Sequence, residues 1–386
     1  MSGHIRKRGK TKKDGRSPWA VVIDLGNDPV TGRRRQLWRS VKGSKREAEA
    51  LLVHLLHQRD TGIDVAPERI TVGQYLERWL KDYAEANVAP NTKRRYAELL
   101  RLHVVPTLGG LPLAKLRPLH IQQCYASVLA KGLSSRTALH CHRVLREALQ
   151  HALKWQLIAR NPADAVEPPR YQRHEMLALG PEEVQRLLRA AEDTPYGALV
   201  SLAVMTGLRQ GELLGLRWQD VDLRADILYV RQTAQRLPGE GITFRPPKTH
   251  RSARPVALSP VTIEVLREHR RRQLEQRLLV GAVYEDYGLV FATPLGTPID
   301  SGNLRKAWQR IVKAAGLDHV RFHDLRHAHA TLLLQQGVHP KVVSERLGHA
   351  GVAITLDTYS HVLPGLQAEA VANLDRVLDL GRRRTP

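Results

Sequence analysis

Two arginines, two histidines and a tyrosine follow one another along this chain in an order that suits phosphoryl transfer. Arg209 lies near the middle, His323 and Arg326 stand three residues apart further on, and His349 and Tyr359 follow. Arginine side chains bind the non-bridging oxygens of a phosphodiester through paired N–H groups. A histidine can move a proton, and a tyrosine hydroxyl can attack phosphorus to form a covalent ester.

Helix termini are expected to position these side chains. Arg209 follows a glycine at the predicted end of one helix, and Glu212 stands in the first turn of the next, where it can orient an arginine. His323, Arg326 and His327 share one face of a predicted helix because their spacing is i, i+3 and i+4. Taken singly, each residue also has a structural explanation, such as a helix cap, a polar helix face or a core tyrosine.

Three patterns suggest other chemistry, and their details argue against it. The run His323–His327 (HDLRH) resembles a zinc motif, but its acid is an aspartate and its arginine would place a fixed cation beside the metal. The run His140–His142 (HCH) has no second ligand pair at zinc spacing. The segment Gly3–Thr11 resembles a phosphate-binding loop, but its glycines are one residue too far apart and no apolar strand precedes it. The sequence therefore predicts no metal site.

The ordered set of motifs resembles the tyrosine recombinases, specifically the phage-type integrases. The match uses T-G-x-R-x-x-E at Thr206–Glu212, H-x-x-R at His323–Arg326, L-G-H at Leu347–His349 and the tyrosine at Tyr359. A lysine within Pro247–Pro255 fits the β-hairpin lysine of that family. His349 and Tyr359 are ten residues apart, where many members have nine, and a one-residue loop insertion accounts for the difference.

The resemblance implies a role for each matched residue at the scissile phosphate. Tyr359 would attack phosphorus, giving a 3′-phosphotyrosyl link and a free 5′-hydroxyl. Arg209 and Arg326 would stabilise the charge that develops at phosphorus. His349 would support the phosphate, and Glu212 would hold Arg209 in place.

The resemblance also implies how protons move and why no cofactor is needed. His323 would assist proton transfer at the tyrosine, and Lys248 would protonate the leaving 5′-oxygen. Lys341, near a helix start, is the rival candidate for that second role. Exchanging a phosphodiester for a tyrosyl ester and back is nearly balanced in free energy, so ATP is not expected.

Composition favours a chain of several domains that binds a polyanion. A length of 386 residues suggests two or three domains, and 42% hydrophobic residues are ample for folded cores. The formal net charge of +22 favours nucleic acid, with an arginine-rich but merely solvated surface as the alternative. Two cysteines without a CxxC motif fit a reducing cytoplasm. No signal peptide and no membrane span are predicted.

Residues 1–62 are predicted to form a small basic module of β-strands and one helix. Strands are expected over Trp19–Leu25 and Arg33–Val41, separated by turn residues Asn27–Gly32, with a helix over Ser44–Arg59. The module carries fifteen Lys/Arg against six Asp/Glu, a net charge of +9. Because a basic two- or three-stranded sheet can lie in a major groove, it is similar to the arm-site DNA-binding domain of integrases. Its candidate DNA contacts are Arg33, Arg34 and Arg35.

Residues 63–170 are predicted to form a helical domain that resembles the core-site DNA-binding domain of the family. Thr71 is expected to cap a helix over Val72–Ala86, with Gln74 completing a capping box. Asn91 is expected to cap a second helix, which Pro106 and Gly109-Gly110 would end. The other two helices and the interdomain linker are expected over Leu116–Lys131, Ser134–Gln156 and Asn161–Arg173. The candidate DNA contacts are Lys93, Arg94, Arg95 and Arg136.

Residues 171–386 are predicted to form a mixed, mostly helical catalytic domain. A short antiparallel set is expected from Ile227–Val230, Thr243–Arg245 and Arg254–Leu258, with Lys248 on a turn between the last two. A further short strand is expected over Leu289–Ala292. The whole chain is therefore predicted to be a multidomain α+β protein: a basic β-sheet-plus-helix module, a helical domain, and a mostly α catalytic domain with a small antiparallel sheet.

The function implied is site-specific recombination of DNA, integrating and also excising mobile DNA. The partners implied are double-stranded DNA with core and arm sites, three further copies of the chain in a homotetramer, an excisionase and a host DNA-bending protein, with no membrane. The expected location is the cytoplasm of a bacterial host, at the nucleoid. Two alternatives stay open: an enzyme like a type IB topoisomerase, which relaxes supercoils, and a catalytically silent DNA-binding regulator.

Overall fold

The computed structural model describes residues 3–9, 17–27, 32–60, 70–171, 179–237, 239–247 and 252–359, with six positions between 371 and 378. The side chains of residues 35 and 58–60 lie outside this description. The chain divides into two compact units, residues 1–173 and 174–386. Helices dominate both units and the sheets are small and antiparallel, so the predicted fold class is confirmed.

The N-terminal part of the first unit is a three-stranded sheet covered by one helix. The strands are β1 (Gly3–Lys7), β2 (Ser17–Asn27) and β3 (Arg34–Gly43), paired antiparallel in the order β1-β2-β3, and helix α1 (Lys45–Asp60) follows. Alternate residues of β2 face the helix, so Val21 and Ile23 are buried with Ala48 and Leu55 of α1. The segment Gly3–Thr11, whose sequence resembles a phosphate-binding loop, therefore begins with a strand.

Residues 70–171 of the first unit are mostly helical, and two of their helices contain a π-helical turn. One runs through α2 (Val72–Trp79), a π turn (Leu80–Ala84) and α3 (Glu85–Asn87). The next runs through α4 (Pro90–Leu99), a π turn (Leu100–Val104) and α5 (Val105–Leu108). The remaining elements are a 3-10 turn (Leu113–Lys115), α6 (Pro118–Ala130), α7 (Ser135–Lys154) and a second 3-10 turn (Pro162–Ala165).

Three local predictions for this helical region have different outcomes. The capping box of Thr71 and Gln74 is present, as predicted. The prediction that Asn91 caps the second helix is wrong, because the helix starts with Pro90 at its first position and Ala89 as the cap. The helix continues past Pro106, which lies in the first turn of α5 after the π turn, where a missing N–H is tolerated, and it ends at Leu108 before Gly109 and Gly110, the second part of the predicted end.

The linker predicted over Asn161–Arg173 begins later than expected. Asn161 is buried and its side-chain amide donates to the Arg146 carbonyl at 3.1 Å. Ala163 and Val166 belong to the hydrophobic core of the helical region. The packed helical region therefore extends to Val166, and residues 172 and 173 of the predicted linker lie outside the described part of the chain.

Among its described residues up to Tyr359, the second unit contains eight helices and five short strands. The first helices are α8 (Pro181–Glu192), α9 (Gly197–Thr206) and α10 (Gln210–Leu214). The strands are β4 (Val221–Asp222), β5 (Ile227–Val230), β6 (Thr233–Leu237), β7 (Gly241–Arg245) and β8 (Arg254–Ala257). The later helices are α11 (Pro260–Val280), α12 (Ser301–Ala314), α13 (Asp324–Gln335), α14 (Pro340–Leu347) and α15 (Val352–Tyr359). Single 3-10 turns occupy Trp218–Asp220 and Gly281–Val283.

The strands of this unit form two sheets rather than the single predicted set. Strands β4, β5 and β8 pair in that order, whereas β6 and β7 form a separate hairpin. Gly239 and Gly241, with φ of 81° and 76°, permit the tight return between β6 and β7, so Thr243–Arg245 pairs locally. The prediction that Thr243–Arg245 and Arg254–Leu258 flank one hairpin is therefore wrong.

The segment predicted as a strand over Leu289–Ala292 makes only two isolated bridges, one at each end. Val290 and Phe291 between them are buried, which explains the strand-like sequence. Helix α9 is apolar on nearly all sides because it packs on α8, α11 and α13. None of the helices in the described residues is both long and apolar enough to cross a membrane.

Candidate active site

Two helices end at the site, and each ends on a glycine in the left-handed conformation. Gly207 closes α9 and Gly348 closes α14, both with φ of 64°. A Cβ at Gly207 would lie 2.7 Å from His329 and from Leu347, and one at Gly348 would lie 2.8 Å from Nη1 of Arg254. The glycines are thus required by backbone conformation and by close packing.

Arg209 is the residue that precedes α10, and Glu212 holds it there. The backbone N–H of Arg209 donates to Glu212 Oε2 at 3.0 Å, and its Nη1 donates to Oε1 at 2.7 Å. Its Nη2 reaches the Gly348 carbonyl at 3.2 Å. Glu212 is only 2% exposed, whereas the Arg209 side chain is 38% exposed. The carboxylate therefore orients a guanidinium that still faces solvent.

Arg326 joins the two glycine-capped helix ends. Its Nη1 donates to the Gly207 carbonyl at 2.8 Å and its Nη2 to the Leu347 carbonyl at 2.6 Å. Burial, and then the positive charge of Arg209, lower the pKa of Arg326 to about 9. Two cations are thus held close together, and a bound anion would relieve their repulsion.

His349 follows Gly348, as predicted, and is held by α15. Its Nδ1 lies 2.8 Å from Oγ1 of Thr355, which is fully buried. Burial, and then the charges of Arg326 and Arg209, lower the pKa of His349 to about 4. The imidazole is therefore neutral at physiological pH.

Tyr359, at the end of α15, is 2% exposed, and its hydroxyl lies 2.7 Å from Nδ1 of His327. Burial raises the pKa of Tyr359 to about 12. The sequence assigned proton transfer at this hydroxyl to His323, which is the residue preceding α13. The ring of His323 lies 5.0 Å from that of His327, edge to face. The structure thus adds His327 as the immediate neighbour of the hydroxyl.

Arg254 is a second residue that the motif analysis did not single out. Its Nη1 and Nη2 donate to the two oxygens of Glu212 at 3.2 and 3.1 Å, and its Nε donates to the Arg346 carbonyl at 2.6 Å. A signal was present in the sequence, because Arg254 alternates with Val256 on the buried face of strand β8. A charged residue on the inward face of a strand needs a buried partner.

The two lysine candidates differ in what can be said of them. Lys248 lies in residues 248–251, outside the described part of the chain. Lys341 is exposed at the start of α14, and its Nζ forms an ion pair with Glu345 Oε1 at 3.1 Å.

The candidate DNA contacts all lie in the first unit. Arg33 is exposed, Nε of Arg34 donates to Asp24 Oδ2 at 2.9 Å, and the Arg35 side chain is not described. In the helical region Arg94, Arg95 and Arg136 are exposed and Lys93 is half-buried. Three of these four have neighbours: Lys93 pairs with Glu85 at 2.9 Å, Arg95 pairs with Glu98 at 3.0 Å, and the Arg136 guanidinium lies 5.4 Å from the Tyr171 ring centre.

Within the described residues, no group of three or more histidine, cysteine, aspartate or glutamate side chains is arranged to hold a metal ion. Of the run His140–His142, Cys141 and His142 are buried, and His142 Nδ1 lies 3.0 Å from the Tyr125 hydroxyl. That histidine is therefore part of the helical core.

Two family models match the chain, over the regions that contain the helical domain and the candidate site. Residues 71–129 match the phage integrase N-terminal SAM-like domain, and residues 178–365 match the phage integrase family. A tyrosine recombinase XerC-like protein of Caldanaerobacter subterraneus subsp. tengcongensis is 31% identical over 96% of this chain and 99% of the relative. An integrase of Streptomyces ambofaciens is 30% identical over 96% of each chain.

Solved structures share the fold. A Tn1549 transposon integrase in complex with transposon right end DNA matches with a TM-score of 0.69 and 21% identity, over 80% of this chain and all of that one. A lambda integrase tetramer bound to a Holliday junction matches with a TM-score of 0.56 and 20% identity, over 92% of this chain and 94% of that one. The fold and the site thus define a tyrosine recombinase. The chain belongs to the phage integrase family, whose activity is site-specific recombination of mobile DNA.

Proposed function

We propose that this chain cuts and rejoins DNA at a specific site through a covalent bond to Tyr359, and so integrates and excises mobile DNA. The observation that carries the proposal is the convergence of three groups on the end of α14. Arg209 and Arg326 both donate to its terminal carbonyls, and His349 follows directly. The Tyr359 hydroxyl belongs to the same site, because it lies 2.7 Å from Nδ1 of His327, the residue that follows Arg326 on α13.

The cutting step follows from the chemistry of these groups. The scissile phosphate binds to Arg209, Arg326 and His349: the two guanidinium groups neutralise its non-bridging oxygens, and the neutral imidazole of His349 supports it through a hydrogen bond. The Tyr359 oxygen forms a bond to phosphorus while the bond from phosphorus to the 5′-oxygen breaks. The product is a 3′-phosphotyrosyl link and a free 5′-hydroxyl. Attack by another 5′-hydroxyl reverses these steps and joins a new strand, so the energy of the ester is retained and no cofactor is consumed.

Two proton transfers accompany the cutting step. The tyrosine proton leaves with the assistance of His323, while His327 holds the hydroxyl, since its Nδ1 lies 2.7 Å away. Lys248 protonates the departing 5′-oxygen, which is too basic to leave as an alkoxide. Glu212 is a positioning residue, because it orients Arg209 without contacting the phosphate.

The division of labour along the chain is part of the proposal. Residues 1–62 bind an arm site, residues 63–170 bind the core site, and residues 171–386 carry out the reaction. Four copies assemble on two DNA duplexes, since recombination needs four strand cuts; the tetrameric lambda integrase on a Holliday junction supports this. An excisionase and a host DNA-bending protein complete the assembly, in the cytoplasm of a bacterial host at the nucleoid.

A nicked suicide substrate tests the reaction. Such DNA loses its short 5′-ended fragment on cleavage, so the covalent complex accumulates. The wild-type chain should form this complex, and Tyr359→Phe should form none while binding the site almost equally well, because only one oxygen is removed. A covalent complex that persists in Tyr359→Phe would overturn the assignment. Relaxation of supercoiled DNA without joining of a partner duplex would support the topoisomerase alternative. Binding of the site without cleavage would support the silent regulator.

A further inference from the structure

Glu212 is shared by two arginines, and only one of them faces solvent. Its Oε1 accepts from Arg209 Nη1 at 2.7 Å and from Arg254 Nη1 at 3.2 Å. Its Oε2 accepts from the Arg209 backbone N–H at 3.0 Å and from Arg254 Nη2 at 3.1 Å. Although burial raises the pKa of Glu212, Arg254 and then Arg209 hold it below its ordinary value. The group is therefore an anion between two cations.

Arg254 is placed to act on the protein rather than on DNA. Its side chain is 5% exposed. Four of its five N–H groups bond to protein acceptors: two to Glu212, one to the Ser252 carbonyl and one to the Arg346 carbonyl. The Arg209 side chain is 38% exposed and gives two N–H groups to protein acceptors among the described residues. Arg326 is as buried as Arg254 but, like Arg209, gives only two side-chain N–H groups to protein acceptors among the described residues. Arg254, with four of its five N–H groups already bonded, therefore has the least left to offer a phosphate.

The same arginines also satisfy the C-terminal end of α14. Three consecutive carbonyls, those of Arg346, Leu347 and Gly348, accept from Arg254, Arg326 and Arg209, at 2.6, 2.6 and 3.2 Å. Carbonyls at a helix end have no partner within the helix and carry the negative end of its dipole. Arg254 thus fixes the backbone from which His349 projects and against which Arg209 rests.

The charges of the three side chains explain why a second arginine is needed. A carboxylate paired with Arg209 alone would orient it but would also cancel its charge. With Arg254 present, two cations share one anion, and the trio keeps a net charge of +1, available to an anionic ligand. We propose that Arg254 is a positioning residue for the proposed recombination reaction. It offsets the charge of Glu212, so that Arg209 is held in place and remains cationic toward the scissile phosphate.

The test compares two substrates that differ only in charge at the scissile position. One is ordinary nicked DNA, and the other carries a methylphosphonate there, in which a methyl group replaces one non-bridging oxygen and the charge is lost. Single-turnover formation of the covalent complex is measured for the wild type and for Arg254→Met. On ordinary DNA the variant should be slower by on the order of a hundredfold. On the neutral substrate the ratio of the wild-type rate to the variant rate should fall to about threefold, since little cationic charge is needed there.

Arg346→Met is the matched control. Arg346 is also partly buried, but it donates to the carbonyls of Met205 and Ala257 and to His329, and it makes no contact with Glu212. Any loss in this control should be equal on the two substrates, because it reflects packing and hydrogen bonds that do not involve Glu212. An equal loss on both substrates in Arg254→Met would overturn the inference.

A second variant keeps the inference testable if Arg254→Met does not fold, because one partner of a buried ion pair is costly to remove. Glu212→Gln with Arg254→Met removes both charges together. With no carboxylate left to offset, this double variant should cleave within about fivefold of Glu212→Gln alone. A far larger loss would contradict the charge argument. Failure of the wild type to form a Tyr359 adduct would instead refute the proposed function itself.

Discussion

The hydroxyl of Tyr359 lies 2.7 Å from Nδ1 of His327. Burial, and then the neighbouring His323, lower the pKa of His327 to about 4, while burial raises the pKa of Tyr359 to about 12. A base so much weaker than the phenolate does not remove the proton in this arrangement. His327 is therefore neutral here, its hydrogen bond fixes the position of the hydroxyl, and the proton transfer itself is left to the rest of the site.

This arrangement predicts a difference between two substitutions of His327. His327→Gln keeps a hydrogen-bond acceptor and should cleave within about threefold of the wild type. His327→Phe loses the acceptor and should be slower by about tenfold, the worth of roughly one hydrogen bond. Rates of covalent-complex formation on nicked DNA measure both. Equal and large losses in the two variants would show that His327 itself takes the proton.

The glycine that closes α14 should be intolerant of any side chain. Gly348→Ala adds a Cβ at a φ of 64° and 2.8 Å from Nη1 of Arg254. We expect it to lower the free energy of unfolding by about 1–3 kcal/mol and to abolish most cleavage, because Arg254 must move. Gly337→Ala is the control: φ there is 76°, but the new Cβ would have no neighbour within 4 Å. Chemical denaturation and cleavage assays of both variants separate the effect of backbone strain from the effect of the contact with Arg254. A Gly348→Ala enzyme as active as Gly337→Ala would contradict this account.

Acid should destabilise the second unit through His329. This histidine is 7% exposed; its Nδ1 lies 2.8 Å from the Val204 carbonyl, and its Nε2 accepts from Arg346 Nε at 3.0 Å. Burial, and then the charge of Arg346, lower its pKa to about 4. An unfolded histidine titrates near 6.5, so the unfolded state takes up the proton first as the pH falls.

The stabilisation that neutral His329 contributes is therefore fully present above about pH 6.5, and it is progressively lost as the pH falls to about pH 4. Between pH 7 and pH 5 this residue alone should cost about 2 kcal/mol. His329→Gln cannot titrate, so its urea-unfolding free energy should fall less between these two pH values than that of the wild type. An identical pH dependence in the two proteins would contradict the prediction.

The leaving-group role of Lys248 can be tested with a sulfur substitution. Sulfur in place of the bridging 5′-oxygen gives a thiolate that leaves without a proton. Lys248→Ala should cleave ordinary DNA poorly and the sulfur substrate at nearly the wild-type rate, whereas Tyr359→Phe should cleave neither. Rescue of Lys341→Ala, with no rescue of Lys248→Ala, would assign the role to the other lysine.

Deletion of residues 1–62 should separate cleavage from integration. The shortened chain should still cut a core site, but integration should fall, because tethered DNA contacts raise the effective concentration of the second site. Binding by the module should weaken steeply with added salt, since its net charge is +9. Undiminished integration by the shortened chain would contradict the proposal that the chain binds both an arm site and a core site.

The sequence was most informative where a motif is also a local backbone requirement. The glycines before Arg209 and His349 predicted two helix ends, and both helices end there. The capping box at Thr71 is likewise a local backbone requirement, and it too was predicted. Arg254 was not predicted, because its partners Glu212 and Arg346 are 42 and 92 positions away in the chain. The prediction that Thr243–Arg245 and Arg254–Leu258 form one hairpin was wrong for the opposite reason. Thr243–Arg245 pairs instead with the strand just before it in the chain, in a local hairpin.

His327 was seen on the correct helix face but was given no role. Its neighbour Tyr359 is 32 residues away, and the contact depends on how α15 packs on α13. Spacing along one helix cannot supply that information. The two π-helical turns, Leu80–Ala84 and Leu100–Val104, were likewise not predicted.

The bond between His349 and Thr355 explains how ten residues can separate His349 from Tyr359 without disturbing the site. Thr355 and Tyr359 are four residues apart on the buried side of α15, and Thr355 Oγ1 lies 2.8 Å from His349 Nδ1. The path from the histidine to the tyrosine therefore runs through one side-chain bond and one helical turn. Residues 350 and 351 lie off this path, so a change in the length of that bend would leave the nucleophile at the same distance from the phosphate pocket.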